Sequence, residues 1–73
     1  DSKTVLQEMI QTMPEAVFEY VLTGEEGPDH DKEFLVDAVL DGKLIGKGKG
    51  RTKKAAEQQA AYEAILALRK NKE

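Results

Sequence analysis

Apolar residues fall at helical spacing near both ends of this chain and at alternating spacing in its middle. Val5, Leu6, Met9, Ile10 and Met13 sit at i, i+1, i+4, i+5 and i+8, one stripe that predicts a helix from Ser2 to Met13. Asp1 or Ser2 can cap it, and Pro14 stops it, because the residue before a proline avoids helical backbone. The other face carries Thr4, Gln7, Glu8 and Gln11, a polar stripe as regular as the apolar one. Val17 to Thr23 is rich in β-formers and predicts a strand. Gly24 to Asp31, with Gly27-Pro28 at its centre, predicts a loop. Phe34 to Leu40 predicts a second strand, with Phe34, Val36, Ala38 and Leu40 on one face and Leu35, Asp37 and Val39 on the other. Asp41-Gly42 predicts a two-residue hairpin turn, and Leu44 to Gly50 the returning strand. Thr52 can cap a last helix running to about Arg69, whose apolar stripe is Ala56, Ala60, Ala64, Ile65 and Leu68.

The order is helix, three strands, helix. Three sequential antiparallel strands need one covered face, and the two apolar helix stripes can cover it. The expected fold is therefore α+β, of order α-β-β-β-α, with a three-stranded antiparallel sheet and two helices packed on one face. Gly46, Gly48 and Gly50 lie on one side of the third strand, where bare backbone facing a run of alanines allows close approach of helix and sheet. With 73 residues the chain makes one domain, 1–73, near the lower limit for a self-sufficient core. It begins with Asp1 rather than Met, so a domain excised from a longer chain is expected.

Composition removes several function classes. There is no cysteine, which excludes a disulfide scaffold, a cysteine nucleophile and the common zinc fingers. No apolar run approaches the ~20 residues that span a membrane, and no secretory leader is expected, since no basic region followed by an apolar stretch opens the sequence. A cytoplasmic location is expected. Ser2, the one serine, sits at a chain end, and His30, the one histidine, stands among carboxylates, a poor metal site, so no catalytic constellation is found. The run Gly46-Lys47-Gly48-Lys49-Gly50-Arg51-Thr52 fails both the phosphate-loop and the dinucleotide templates. The expectation is a chain that is not itself an enzyme.

Charge is divided unevenly. The formal net charge is −3, but residues 1–41 carry −9 and residues 42–73 carry +6. Lys43, Lys47, Lys49, Arg51, Lys53 and Lys54 fall within twelve residues that contain no acid. Screening limits each charge to about 10 Å, so such a patch attracts polyanions even on an acidic chain. Lys53 and Lys54 also open a helix just after its cap, where they oppose the helix dipole. With Arg51 and the free amide N–H groups they form an anion site suited to phosphate.

Three strings carry a resemblance. Lys3-Thr4-Val5-Leu6-Gln7-Glu8, then Glu26-Gly27-Pro28-Asp29-His30, then Gly48-Lys49-Gly50-Arg51-Thr52-Lys53-Lys54-Ala55-Ala56-Glu57-Gln58 together resemble the double-stranded RNA-binding domain, over essentially the whole chain. The combination looks most like the carboxy-terminal domain of bacterial ribonuclease III. The resemblance implies a partner, double-stranded RNA, read by shape. It implies that Thr4, Gln7, Glu8 and Gln11 enter one minor groove, and that Gly27, Pro28, Asp29 and His30 enter the next. Arg51, Thr52, Lys53 and Lys54 would meet the phosphates between them. It implies no cofactor for this domain. The magnesium, the catalytic carboxylates and the homodimer contact of the parent nuclease would lie in a domain absent here. Many family members place a third base where this chain has Glu57, which is expected to pair with Lys53 instead. The acidic cluster Glu25, Glu26, Asp29 and Asp31 is expected to point away from the duplex. The rival reading is a protein-interaction or dimerisation module of the same fold. It would use Leu35 and Val39, joined by Val17 or Val21, on the open sheet face.

Overall fold

The computed structural model describes residues 1–71. Asp1 accepts the Thr4 N–H at 2.8 Å and starts α1, Ser2–Gln11. The helix stops two residues short of the expected Met13. The Met13 N–H turns back to the Ile10 carbonyl at 2.9 Å, and the Thr12 hydroxyl takes the Met9 carbonyl at 2.6 Å. These tighter bonds replace the helical ones and close the last turn. A turn then reverses the chain: the Ala16 N–H donates to Met13, with Pro14 second and Glu15 third at φ 63. Positive φ at that third place is what a type II turn demands.

Three strands follow, β1 (Phe18–Glu26), β2 (Glu33–Leu40) and β3 (Lys43–Gly50), antiparallel in the order β1-β2-β3. β1 runs three residues beyond the expected Thr23. A bulge between Leu22 and Gly24 shifts the register, so Gly24, Glu25 and Glu26 still pair with Leu35, Phe34 and Glu33. The expected loop thus shrinks, and a short 3-10 helix at Asp29–Asp31 occupies part of it. The Asp41-Gly42 hairpin is as expected, with both residues at positive φ. Asp41 also ties the hairpin to the start of β1, donating its N–H to Val17 O at 2.7 Å and accepting the Val17 N–H on its carboxylate at 2.8 Å.

The last helix, α2 (Lys53–Lys70), begins where Thr52 accepts the Ala55 N–H at 3.0 Å. The core is small-residue packing: Leu6, Val36, Ala38, Ala56, Ala60, Ala61, Ala64 and Ile65 are buried, and Phe34, Tyr20, Ile45 and Leu68 pack around them. Gly46, Gly48 and Gly50 stand opposite Ala38, Val36 and Phe34 in the register. A Cβ added at Gly48 would overlap the Ala56 carbonyl oxygen and the Ala60 nitrogen, and one at Gly50 would come 2.6 Å from the Ala56 nitrogen. α2 therefore rests almost backbone to backbone on β3. This contact decides where the amino end of α2 lies.

Candidate nucleic-acid interface

With Leu6 buried beneath α1, the opposite stripe of Thr4, Gln7, Glu8 and Gln11 is exposed along its whole length. Gln7 and Gln11 also line a shallow groove of about 360 Å³ between α1 and β1, with Phe18 and Tyr20 among its walls. An amide side chain both donates and accepts, and the Glu8 carboxylate accepts, so the stripe can meet hydroxyl groups that do both.

The loop after β1 is shaped by its own backbone. Gly27 has φ 88, and a Cβ there would strike the Asp31 carbonyl oxygen, so only glycine fits. The Asp31 N–H donates to Pro28 O at 2.9 Å and closes the turn that carries Asp29 and His30. Gly27, Pro28, Asp29 and His30 are all exposed. The acids that look misplaced beside a polyanion are each paired. Lys32 holds Glu25 at 3.1 Å and Asp29 at 3.8 Å, Lys49 holds Glu26 at 3.0 Å, and Arg51 holds Asp31 at 3.3 Å. The hydrogen bond and charge of Glu26, followed by the charge of Glu33, push the Lys49 ammonium above its ordinary value.

Arg51, Thr52, Lys53 and Lys54 are exposed at the start of α2. Thr52 spends its hydroxyl oxygen on the cap. Arg51 is engaged by Asp31, whereas among the described residues no carboxylate pairs with Lys53 or Lys54. The first turn of α2 contains no acid. Two free ammonium groups thus sit beside the positive end of a helix dipole, which favours an anion there.

The expected Glu57–Lys53 pair does not form. Glu57 instead accepts from the Lys3 ammonium at 2.6 Å, and the neighbouring Gln58 accepts the Lys3 backbone N–H at 3.2 Å. The Glu57 carboxylate is taken by a partner from another element rather than by its i−4 neighbour on α2. α1 lies against the turn that holds Glu57 and supplies the partner. Lys3 also stands 5.3 Å from the centre of the Tyr20 ring. Burial, and then the Glu57 charge, raise the Tyr20 phenol above 10.0.

These pairs bring the three strings together. Glu57, one turn after Lys53, holds Lys3 beside Thr4; Arg51, two residues before Lys53, holds Asp31 beside His30. The lysine pair is therefore bracketed by α1 on one side and the loop on the other. Sequence reasoning missed Lys3, Gln58 and Lys49 in this role, and no local signal marks them, since Lys3 and Glu57 stand 54 residues apart.

The open sheet face offers less than the rival reading needs. Leu35, Val39 and Val21 are half-buried, and in the register Leu35 neighbours Lys49, Val39 neighbours Glu19, and Val21 neighbours Asp37. The largest exposed apolar side chains, Val17, Leu22, Leu44, Tyr62 and Leu66, are spread over the turn before β1, the strands and α2. Among the described residues no three His, Asp or Glu side chains converge as metal ligands. No helix among them is long and apolar enough to cross a membrane.

Comparison with known proteins gives a consistent picture. The family model described as "Double-stranded RNA binding motif" matches residues 2–68. "Ribonuclease 3" of Listeria welshimeri is 49% identical over 68 residues, covering 93% of this chain and 30% of that protein. The "Ribonuclease 3" of Desulforamulus reducens is 50% identical over 68 residues, covering 93% of this chain and 28% of that protein. The chain thus spans less than a third of the length of these relatives. A solution structure of both dsRBDs of DRB4 with their linker superposes with a TM-score of 0.63 at 28% identity, covering 93% of this chain and 44% of that one.

Proposed function

The chain belongs to the double-stranded RNA binding motif family, and on that premise we propose that it grips an RNA duplex by shape across two minor grooves. The observation that carries this reading is the bracketing of Lys53 and Lys54 by the α1 stripe and the His30 loop. An RNA duplex presents the matching series: a minor groove lined with 2′-hydroxyls, a phosphate-walled major groove, then a second minor groove, over about 16 base pairs. Thr4, Gln7, Glu8 and Gln11 exchange hydrogen bonds with hydroxyls in the first minor groove. Gly27, Pro28, Asp29 and His30 enter the second. Lys53 and Lys54, supported by Arg51, neutralise the phosphates between. Phosphate contacts carry no sequence information, so the grip is indifferent to sequence.

In a parent resembling the Ribonuclease 3 proteins, the domain holds the substrate for a cytoplasmic endoribonuclease. Cleavage, magnesium and homodimer formation belong to the remainder of that parent. The chain itself performs no cleavage.

Binding to a blunt RNA duplex of about 18 base pairs, beside a DNA duplex of the same length at two salt concentrations, tests the reading. RNA binding that is salt-sensitive and much stronger than DNA binding is expected. Lys54→Ala should weaken every RNA duplex about ten-fold and flatten the salt dependence by about one unit of slope. Equal affinity for RNA and DNA would overturn shape reading. An unaltered Lys54→Ala would overturn the phosphate bridge.

A further inference from the structure

The acids around the His30 loop stand where a polyanion is expected to dock, and simple electrostatics makes them a liability there. The structure gives them a different use. Among the described residues, the hydrogen bond that shapes residues 27–31, from the Asp31 N–H to Pro28 O, stays within the loop. The backbone of Glu26, the last residue of β1 at the loop's base, pairs along the sheet with Glu33. The links that cross from this loop to β3 and the start of α2 are ion pairs: Glu26 to Lys49 at 3.0 Å and Asp31 to Arg51 at 3.3 Å. Lys49 and Arg51 lie just before Thr52, the residue that caps α2 and fixes Lys53 and Lys54. Gly50, between them, is packed closely against Ala55 and Ala56, so the receiving side is seated on α2, whereas the loop reaches it through side-chain ion pairs.

We propose that Glu26 and Asp31 are positioning residues: their ion pairs with Lys49 and Arg51 set the spacing between the loop carrying His30 and the lysines of α2. This rests on the reading of the chain as a double-stranded RNA binder. The two contact regions must meet grooves at a separation that the duplex fixes, so a loop held at that separation before binding loses less freedom on docking. The proposal reverses the sign expected from charge alone. Removing an acid from a polyanion-binding surface ordinarily tightens binding. Here it is expected to weaken it.

The test compares affinities for one RNA duplex of about 18 base pairs, at about 0.1 M salt, using the full chain. The variants are Glu26→Gln, Asp31→Asn, Lys49→Glu, and the exchanged pair Glu26→Lys with Lys49→Glu. Each neutralised acid should weaken binding about two- to five-fold, the range that an exposed ion pair can supply. The exchanged pair keeps both the net charge and the link, and should bind more tightly than Lys49→Glu and close to the unaltered chain. A loss that was only structural would lower the unfolding midpoint in step, so thermal unfolding of each variant is followed alongside. Tighter or unchanged binding by Glu26→Gln and Asp31→Asn would overturn the proposal, as would an exchanged pair no better than Lys49→Glu. An unaltered chain with no preference for RNA over DNA would overturn the binding reading itself, and the proposal with it.

Discussion

The start of α2 is joined to its two neighbours by different means. On the α1 side, Lys3 and Glu57 meet at 2.6 Å with only 33% and 28% of their side chains exposed, beside the Gln58 hydrogen bond and the Tyr20 ring. On the loop side, Arg51 and Asp31 meet at 3.3 Å with 80% and 54% exposed. The first junction is part-buried beside Leu6 and Ala61 of the core, so salt screens it less than an exposed pair. The second lies in solvent, where an ion pair contributes on the order of 0.5 kcal/mol and is screened by salt. The first junction thus ties α1 to α2 through packing as well as charge. The other leaves the loop adjustable while biasing where it rests.

The comparison is broken most completely at the surface beneath both junctions. Gly48→Val should drive side-chain atoms into the α2 backbone at Ala56 and Ala60 and cost about 3 kcal/mol or more. Urea unfolding should show a large loss of midpoint, and duplex binding should disappear with the fold. A midpoint within experimental error of the unaltered chain would show that α2 is not seated as described.

A sharper cut compares the junctions directly. Lys3→Met keeps the stem of the side chain but leaves Glu57 half-buried without its partner, a change expected to cost about 1 kcal/mol. Asp31→Asn, in the exposed pair, should cost less than about 0.5 kcal/mol. Chemical unfolding of the two variants in parallel measures the difference. Equal losses would mean that burial does not distinguish the two sites.

The smallest effect is in alkali. Burial and Glu57 raise the folded-state Tyr20 phenol above 10.0, so the unfolded chain releases that proton first as the pH rises. Stability present below that value should therefore decline from about pH 10 upward. The raised Lys49 ammonium acts in the same direction, its pairing with Glu26 being lost as pH passes its folded-state value. Unfolding midpoints between about pH 8 and pH 11 should fall, and Tyr20→Phe should flatten the fall; a midpoint that climbs through this range would contradict the burial of Tyr20 against Glu57.

Much of the fold can be read from neighbours in sequence. Thr52 announces the start of α2 because its hydroxyl reaches an amide three residues on. Asp41-Gly42 announces the hairpin because both residues accept positive φ. The glycines of β3 and the alanines of α2 announce a close approach by their lack of bulk. Reading fails where a local signal is ambiguous. Gly24-Glu25-Glu26 looks like a loop, yet a bulge carries the strand through it. Met13 looks helical, yet Thr12 and the Pro14-Glu15 turn close the helix before it.

For the candidate interface the division is similar. The residue types that suit an RNA duplex were determined by the sequence: amides and a carboxylate on one helical stripe, a glycine-pinned loop with one histidine, and lysines behind a cap. Periodicity, capping and turn geometry act over a few residues, so they leave a trace that can be read along the chain. Which charges are free and which are held was decided only by the tertiary structure. Among the described residues Lys53 and Lys54 meet no carboxylate, and Glu57 turns to Lys3, because packing α2 on the glycines of β3 places α1 and the loop on either side of its first turns. Ion pairs depend on distances in space, and residues 54 positions apart share none until the chain has folded.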